Sequence, residues 1–319
     1  MRKGMTLFGT VLLILALTGC SSPTTSDSGG GTTKEPMGPI SVGSKIDTEG
    51  ELLSSVIKIA LEDAGYTVQD KSQTGTTDVV RKALLSGEID IYPEYTGSGL
   101  IFFEGQDPAV YKDPQKGYEA VQALDLEQNN IVWLEPAKAN NTWLIALKKD
   151  FAASEKLATM SDLAAYVTSG KTVKMAGSDE FFNNPDAMPA FVQTYGFRFA
   201  EDQKVVFSGG NTAQTEKAVA DGTDGVNFGM AYGTDGALAD LGLTVLEDDK
   251  GAQLVYWPTP LIRGVTLDKY PGIKDVLDPV FASFDIAKLQ ELNARVQVNG
   301  EAADTVAREY LEANGLIGK

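Results

Sequence analysis

Histidine is absent from the 319 residues, and cysteine occurs once, at position 20. Without an imidazole the chain cannot assemble Ser-His-Asp or Cys-His nucleophilic machinery or a His-ligated zinc site. A single thiol cannot close an intrachain disulfide. Basic residues are also scarce: 27 Lys and Arg stand against 44 Asp and Glu, a net charge of −17, which argues against nucleic acid and against docking on anionic lipid by charge. No phosphate loop, nucleophile elbow or repeat of fixed period is found. The composition, 43% hydrophobic and 22% charged, is that of a globular protein long enough for two domains. Such an acidic field suits a cationic or zwitterionic small partner better than an anionic one.

The N-terminus reads as an address. Arg2 and Lys3 precede the apolar run 7–17, which is too short for a standard transmembrane helix. The run leads into Leu17-Thr18-Gly19-Cys20, which resembles a bacterial lipobox, so residues 1–20 are expected to be a lipoprotein signal peptide and Cys20 the lipidated residue. Residues 21–38 are rich in Ser, Thr and Gly and are expected to form a flexible tether between lipid and domain.

Beyond the tether, strand-like and helix-like segments alternate. Residues 39–46 read as a short buried strand followed by a loop. Leu52, Leu53, Val56, Ile57, Ala60 and Leu61 follow at helical spacing, closed by Gly65. A second strand near 66–73, a helix over 78–87 and a third strand, Glu88-Ile89-Asp90-Ile91-Tyr92-Pro93-Glu94-Tyr95, complete a strand-helix-strand-helix-strand order. Such alternation predicts a parallel sheet, with the loops at 74–77 and 96–99 at the carboxyl ends of strands, where open α/β sheets bind ligands. The pattern restarts near 131, and the tail beyond 270 reads as amphipathic helices that pack back on the first lobe.

Several segments, in order and spacing, carry a family resemblance: "VGSKIDTEGELLSSVIKIALEDAGYTVQ", "TGTTDVVRKALLSGEIDIYPEYTGSG", "NNTWLIAL", "AYGTDG", "LEDDKG" and "LNARVQVNGE" with "VAREYL". Over residues 39–316 the chain resembles the substrate-binding proteins of glycine betaine, choline and carnitine ABC importers. The resemblance implies a class II periplasmic-binding-protein fold, two α/β lobes around a ligand cleft with a two-crossover hinge. Lobe 1 would span 39–140 and 240–319, and lobe 2 would span 141–239.

It also implies an aromatic box. A trimethylammonium group has diffuse charge and no N–H donor, so aromatic faces are the groups that capture it. By position in the family motifs the box maps onto Tyr95, Trp143, Tyr232 and Tyr256, with Trp143 where tyrosine is commoner. Strand alternation places Tyr92 on the opposite side from Tyr95, which leaves Tyr92 a supporting role, and Trp133, Tyr195 and Trp257 are assigned to packing. Lys45 and Ser98 match positions that hold a ligand carboxylate. Thr77, beside Thr76, either faces the cleft or caps the helix that follows. Two departures stand out: Asn184 where some members carry a carboxylate-clamping arginine, and Asn141 where some carry an aspartate. Glu247, Asp248 and Asp249 are expected to be solvated.

The implied function is non-enzymatic: an extracytoplasmic lipoprotein that takes a quaternary ammonium solute to an ABC permease, as a monomer, with no cofactor, no metal and no nucleic acid, meeting the membrane only through its lipid. Two alternatives stay open, the same fold binding a solute such as an amino acid, and an enzyme acting on a choline ester.

Overall fold

The computed structural model describes residues 37–208 and 212–318. Cys20, the signal peptide and the tether up to residue 36 lie outside the described residues. Met37 and Gly38, expected to end the tether, instead open the first strand, where Met37 pairs with Tyr66.

Among the described residues ten strands form two mixed sheets. In chain order they are β1 (Met37–Lys45), β2 (Tyr66–Gly75), β3 (Ile91–Tyr95), β4 (Ile131–Trp133), β5 (Trp143–Lys148), β6 (Met175–Ser178), β7 (Lys204–Phe207), β8 (Phe228–Tyr232), β9 (Leu243–Val245) and β10 (Pro258–Arg263). The first sheet runs β2-β1-β3-β10-β4 and the second β7-β6-β8-β5-β9. In the first sheet β1 is parallel to β2 and β3, as the alternation predicts, and β10 runs antiparallel to β3 and β4. The second repeats this arrangement, with β6 parallel to β7 and β8 and β5 antiparallel to β8 and β9. Two α/β lobes of like strand order result, as the resemblance implies.

The helix Thr48–Asp63 shows how sequence builds the first lobe. The Asp47 carboxylate accepts from the Gly50 N–H at 2.7 Å, satisfying a donor that the first turn leaves unpaired. Leu52, Leu53, Val56, Ile57, Ala60 and Leu61 are all buried, and they share a core with Val306, Ala307, Tyr310 and Leu311 of the helix Ala303–Ala313. The C-terminal tail therefore does pack on the first lobe.

Two readings from sequence are displaced. Residues 131–133, where the pattern seems to restart, belong to the edge of the first sheet as β4. Trp133 is buried there, its indole N–H donating to Asp125 Oδ2 at 2.7 Å, and Asp125 is in turn clamped by both terminal nitrogens of Arg81. Likewise the return to lobe 1 does not occur at 240. β9 pairs with β5, Val245 opposite Ala146, and Leu243 and Leu246 are buried in second-lobe cores, so the chain crosses back between Val245 and Pro258.

The two crossings are stitched to each other. The Ala137 N–H donates to Pro258 O (2.8 Å), the Asn141 N–H to Tyr256 O (3.0 Å), the Tyr256 N–H to Asn140 Oδ1 (2.8 Å), and the Thr142 hydroxyl to Leu254 O (2.8 Å). This ladder places residues 139–143 and 254–258 side by side between the sheets.

Candidate ligand-binding site at the crossings

Three rings meet at the end of the second sheet. Trp143 opens β5 and Tyr232 closes β8, and the antiparallel register sets them directly opposite. Their ring centroids are 6.1 Å apart at 34°. Tyr256, on the return crossing, lies 6.1 Å from Trp143 at 76°. Trp143 is 8% exposed, while Tyr232 and Tyr256 are half-buried. Burial, helped by the negative charges of Glu180 and Asp235 on Tyr232 and of Asp186 and Glu180 on Tyr256, pushes both phenols far above their usual range. They are neutral hydroxyls at any physiological pH. The Tyr232 N–H donates to Asp235 Oδ2 at 2.5 Å. Behind Asp235 lies Glu216, a fully buried carboxyl whose pKa is pushed up by burial first and then by the Asp235 charge.

The loop after β3 forms the facing wall. A Cβ at Gly97 would fall 2.5 Å from Cε1 of Tyr256, a distance real side chains do not tolerate. The glycine of "YTG" is thus required by the ring it touches. Tyr95, the last residue of β3, is buried, and its hydroxyl donates to Glu49 Oε1 at 2.8 Å. Asn141 Nδ2 donates to the same oxygen at 3.1 Å, and Asn293 Nδ2 donates to Glu49 Oε2 at 2.6 Å and to Thr234 O at 2.9 Å. Glu49 consequently joins the first lobe, a crossing and the turn after β8. Burial raises its pKa to about 7, although its hydrogen bonds to Thr234, Tyr95 and Asn293 pull the other way.

Lys45 and Ser98 are brought together, but on a carboxylate of the protein. Glu94 is fully buried; its Oε1 accepts from Lys45 Nζ (2.5 Å), Ser98 Oγ (3.0 Å) and the Tyr95 N–H (2.8 Å), and its Oε2 accepts from the Tyr92 hydroxyl (3.1 Å). The same Lys45 ammonium lies 4.6 Å from the centroid of the Tyr95 ring, so that face already carries a cation.

A family model described as the substrate-binding domain of ABC-type glycine betaine transport systems matches residues 38–313. The chain belongs to that family. The glycine betaine-binding protein YehZ of Escherichia coli K12 is 50% identical over 277 residues, 87% of this chain and 91% of that protein. The carnitine transport binding protein OpuCC of Listeria monocytogenes is 27% identical over 322 residues, covering 99% and 98%. The solved structure of apo YehZ from E. coli matches with a TM-score of 0.75 at 50% identity, covering 87% of this chain and 99% of that one. A glycine betaine/carnitine/choline transporter structure has a TM-score of 0.76 at 22% identity, covering 87% and 99%, a likeness of fold.

This substrate-binding protein places its other candidate residues less centrally. Asn184 ends the short helix Asp179–Asn183, its side-chain oxygen accepting from the Asp186 N–H at 3.0 Å. Thr77 is the first residue of the helix Thr77–Ser86, and Thr76 before it makes no side-chain cap bond. Among the described residues no hydrogen bond or ring contact ties Thr77 or Asn184 to the three rings. Trp133, Tyr92 and Tyr195 are buried in the lobes. Asp248 is not simply solvated: it accepts from the Tyr195 hydroxyl and from the N–H groups of Ala252 and Gln253. Asp249 accepts from the Ser161 N–H and hydroxyl. No group of three metal-ligating side chains occurs among the described residues. Open grooves on the second lobe, one lined by Val167, Val192, Phe197 and Arg198 and another by Lys149, Lys156 and Thr244, share no residue with the ring cluster.

Sequence reasoning missed Glu49 and Glu94 as site residues. Glu49 stands with Glu51 in the first turn of its helix, where acidic residues favour the helix dipole. Glu94 looks like any charge near the end of a strand. Neither carries a local signal of its partners.

Proposed function

We propose that the chain is an extracytoplasmic solute receptor, anchored through lipid on Cys20, that captures a quaternary ammonium compound between its lobes and delivers it to an ABC permease. The observation that carries this reading is the Trp143, Tyr232 and Tyr256 cluster at the crossings. Trp143 and Tyr232 belong to one lobe, whereas Tyr256 rides on a crossing against Gly97 of the other, so a ligand touching all three favours the closed pair of lobes. Cation–π attraction is worth about 0.5–1 kcal/mol per exposed ring and about 2 when desolvated. A few such rings supply enough for roughly micromolar binding after ordering costs.

Tyr95 completes the box once the Lys45 ammonium moves off its face. Asn141 holds the wall through Glu49, and Ser98, Thr77 and Asn184 line the polar end of the cleft. The receptor acts as a monomer. The relatives named for glycine betaine and carnitine support the ligand class. No helix among the described residues is long and apolar enough to cross a membrane.

Calorimetric titration of residues 37–319 with choline, glycine betaine, carnitine and proline tests the ligand class. At least one quaternary amine should bind in the micromolar to low millimolar range. Binding of proline alone, or of none of the four, overturns the reading. Metabolic labelling with a fatty acid should mark the full chain and not Cys20→Ser.

A further inference from the structure

We propose that Glu49 is the positioning residue of this site: its carboxylate sets the Tyr95 ring and the backbones that carry the other three rings, and its negative charge answers the bound cation, so that ligand binding and ionisation of Glu49 favour each other. The proposal rests on the quaternary-ammonium reading above and names the group that feels the cation from behind the rings.

Glu49 is buried in the first turn of the helix Thr48–Asp63, and the side chains that hydrogen-bond to it come from other elements. The Tyr95 hydroxyl reaches Oε1 from the end of β3, Asn141 Nδ2 reaches the same oxygen from a crossing, and Asn293 Nδ2 reaches Oε2 from the helix Ile286–Gln297. Two of these carry the link onward. The Asn141 N–H holds Tyr256 O, with Trp143 two residues further along, and Asn293 Nδ2 also donates to Thr234 O, two residues beyond Tyr232. The turn at Thr234 is fixed in its own right: Gln290 Nε2 donates to Gly233 O at 2.8 Å, and a Cβ at Gly236 would overlap the Ala294 nitrogen. All four rings are thus tied, directly or by a short chain of links, to one carboxylate.

These hydrogen bonds are all donated to Glu49, the company of an ionised carboxylate, yet among the described residues no Lys or Arg forms an ion pair with it. Burial raises its pKa to about 7, Asp47 pushes the same way, and the Thr234, Tyr95 and Asn293 side chains oppose them. The other charges nearby are engaged elsewhere: Lys45 of β1 with Glu94 of β3, Glu51 with Gln73 of β2, and Glu291 and Arg295, which flank Asn293, with Lys288, Glu301 and Glu309. Asp235, just beyond Thr234, is the second buried carboxyl at the rings whose pKa is raised. A quaternary ammonium brings to the Tyr95 face a positive charge that no proton transfer can remove. It favours the anion at Glu49 over the neutral acid. By linkage the anion favours the ligand to the same extent, so affinity rises with pH and binding expels a proton.

The test is calorimetric titration of the protein with glycine betaine and with choline, neither of which gains or loses a proton between about pH 5.5 and 8. The chain has no histidine to titrate in that range. Affinity should rise at least about threefold across it, and proton release near neutral pH should appear as a binding enthalpy that depends on the buffer. Tyr95→Phe keeps the ring but removes a hydroxyl that stabilises the anion, so its profile should lie at higher pH. Glu49→Gln keeps an acceptor for Tyr95 but cannot ionise, and it should bind more weakly at the high end of the range with no pH dependence. A flat profile in the unaltered protein, a rise that survives in Glu49→Gln and so belongs to Asp235, or a profile unmoved in Tyr95→Phe would overturn the proposal. If Glu49→Gln fails to fold by thermal melting, the unaltered protein and Tyr95→Phe still decide it. Binding of neither amine at any pH would remove the quaternary-ammonium reading itself, an outcome distinct from binding that ignores pH.

Discussion

Trp143 and Tyr232 face each other across the antiparallel pair β5 and β8, their centroids 6.1 Å apart, and Tyr256 from the return crossing meets the indole edge-on. Each ring is held by backbone pairing rather than by ring packing alone. Removing one should therefore leave the others in place. Trp143→Ala and Tyr256→Ala are each expected to weaken a quaternary ammonium ligand at least tenfold, about 1.4 kcal/mol. Trp257→Ala, outside the cluster, should change affinity less than threefold. Equal small effects in calorimetry would refute the assignment of the box.

Gly97 lies so close to Tyr256 that a methyl group cannot be added without moving the loop or the ring. Gly97→Ala should cost about 1–3 kcal/mol of stability, as overpacking does, and should weaken the ligand as well. Thermal melting with and without ligand separates the two effects. An alanine variant with unchanged affinity would show that Tyr256 adjusts freely.

Glu49 provides a pH dependence with a defined sign. Its folded pKa, about 7, lies above the 4.5 of an exposed glutamate, so the folded state holds the proton more tightly than the unfolded chain. Its contribution is fully present below about pH 4.5 and is lost as pH rises through about 7. A shift of that size corresponds to roughly 3 kcal/mol. Glu49→Gln, which keeps an acceptor for Tyr95, should flatten the stability profile between pH 5 and 8 in urea titrations. An unaltered slope would mean that Glu49 is ionised throughout.

The Arg81 and Asp125 pair is buried, and Asp125 also holds the Trp133 indole. Asp125→Ala strands the guanidinium and should destabilise the protein by about 3–5 kcal/mol. Replacing both partners with apolar residues should cost less than Asp125→Ala alone. A larger loss in the double variant, read from denaturant midpoints, would contradict this account.

Local pattern was enough for much of the fold. Apolar spacing in 52–61 and the strand-end glycines are properties of contiguous residues, and they placed the first helix, the alternation of the first sheet and the position of the "YTG" loop at a strand end. Resemblance then named Tyr95, Trp143, Tyr232 and Tyr256; the structure brings the last three rings together, whereas the Tyr95 ring lies against Lys45. The lobe boundary was less legible, because β9 is short and what places it is hydrogen bonding to β5, nearly a hundred residues earlier in the chain.

The sequence by itself determined which side chains were available: an acidic, histidine-free chain with aromatics at the ends of strands. Only the tertiary structure decided how they are paired. Lys45 faces Glu94 and Tyr95, and Glu49 faces Tyr95, Asn141 and Asn293, because β1, β3, the crossings and the helix Ile286–Gln297 converge on one point. A charge on a linear sequence has no partner until folding excludes water around it. Burial and pairing then set whether it binds a ligand, a neighbour or a proton.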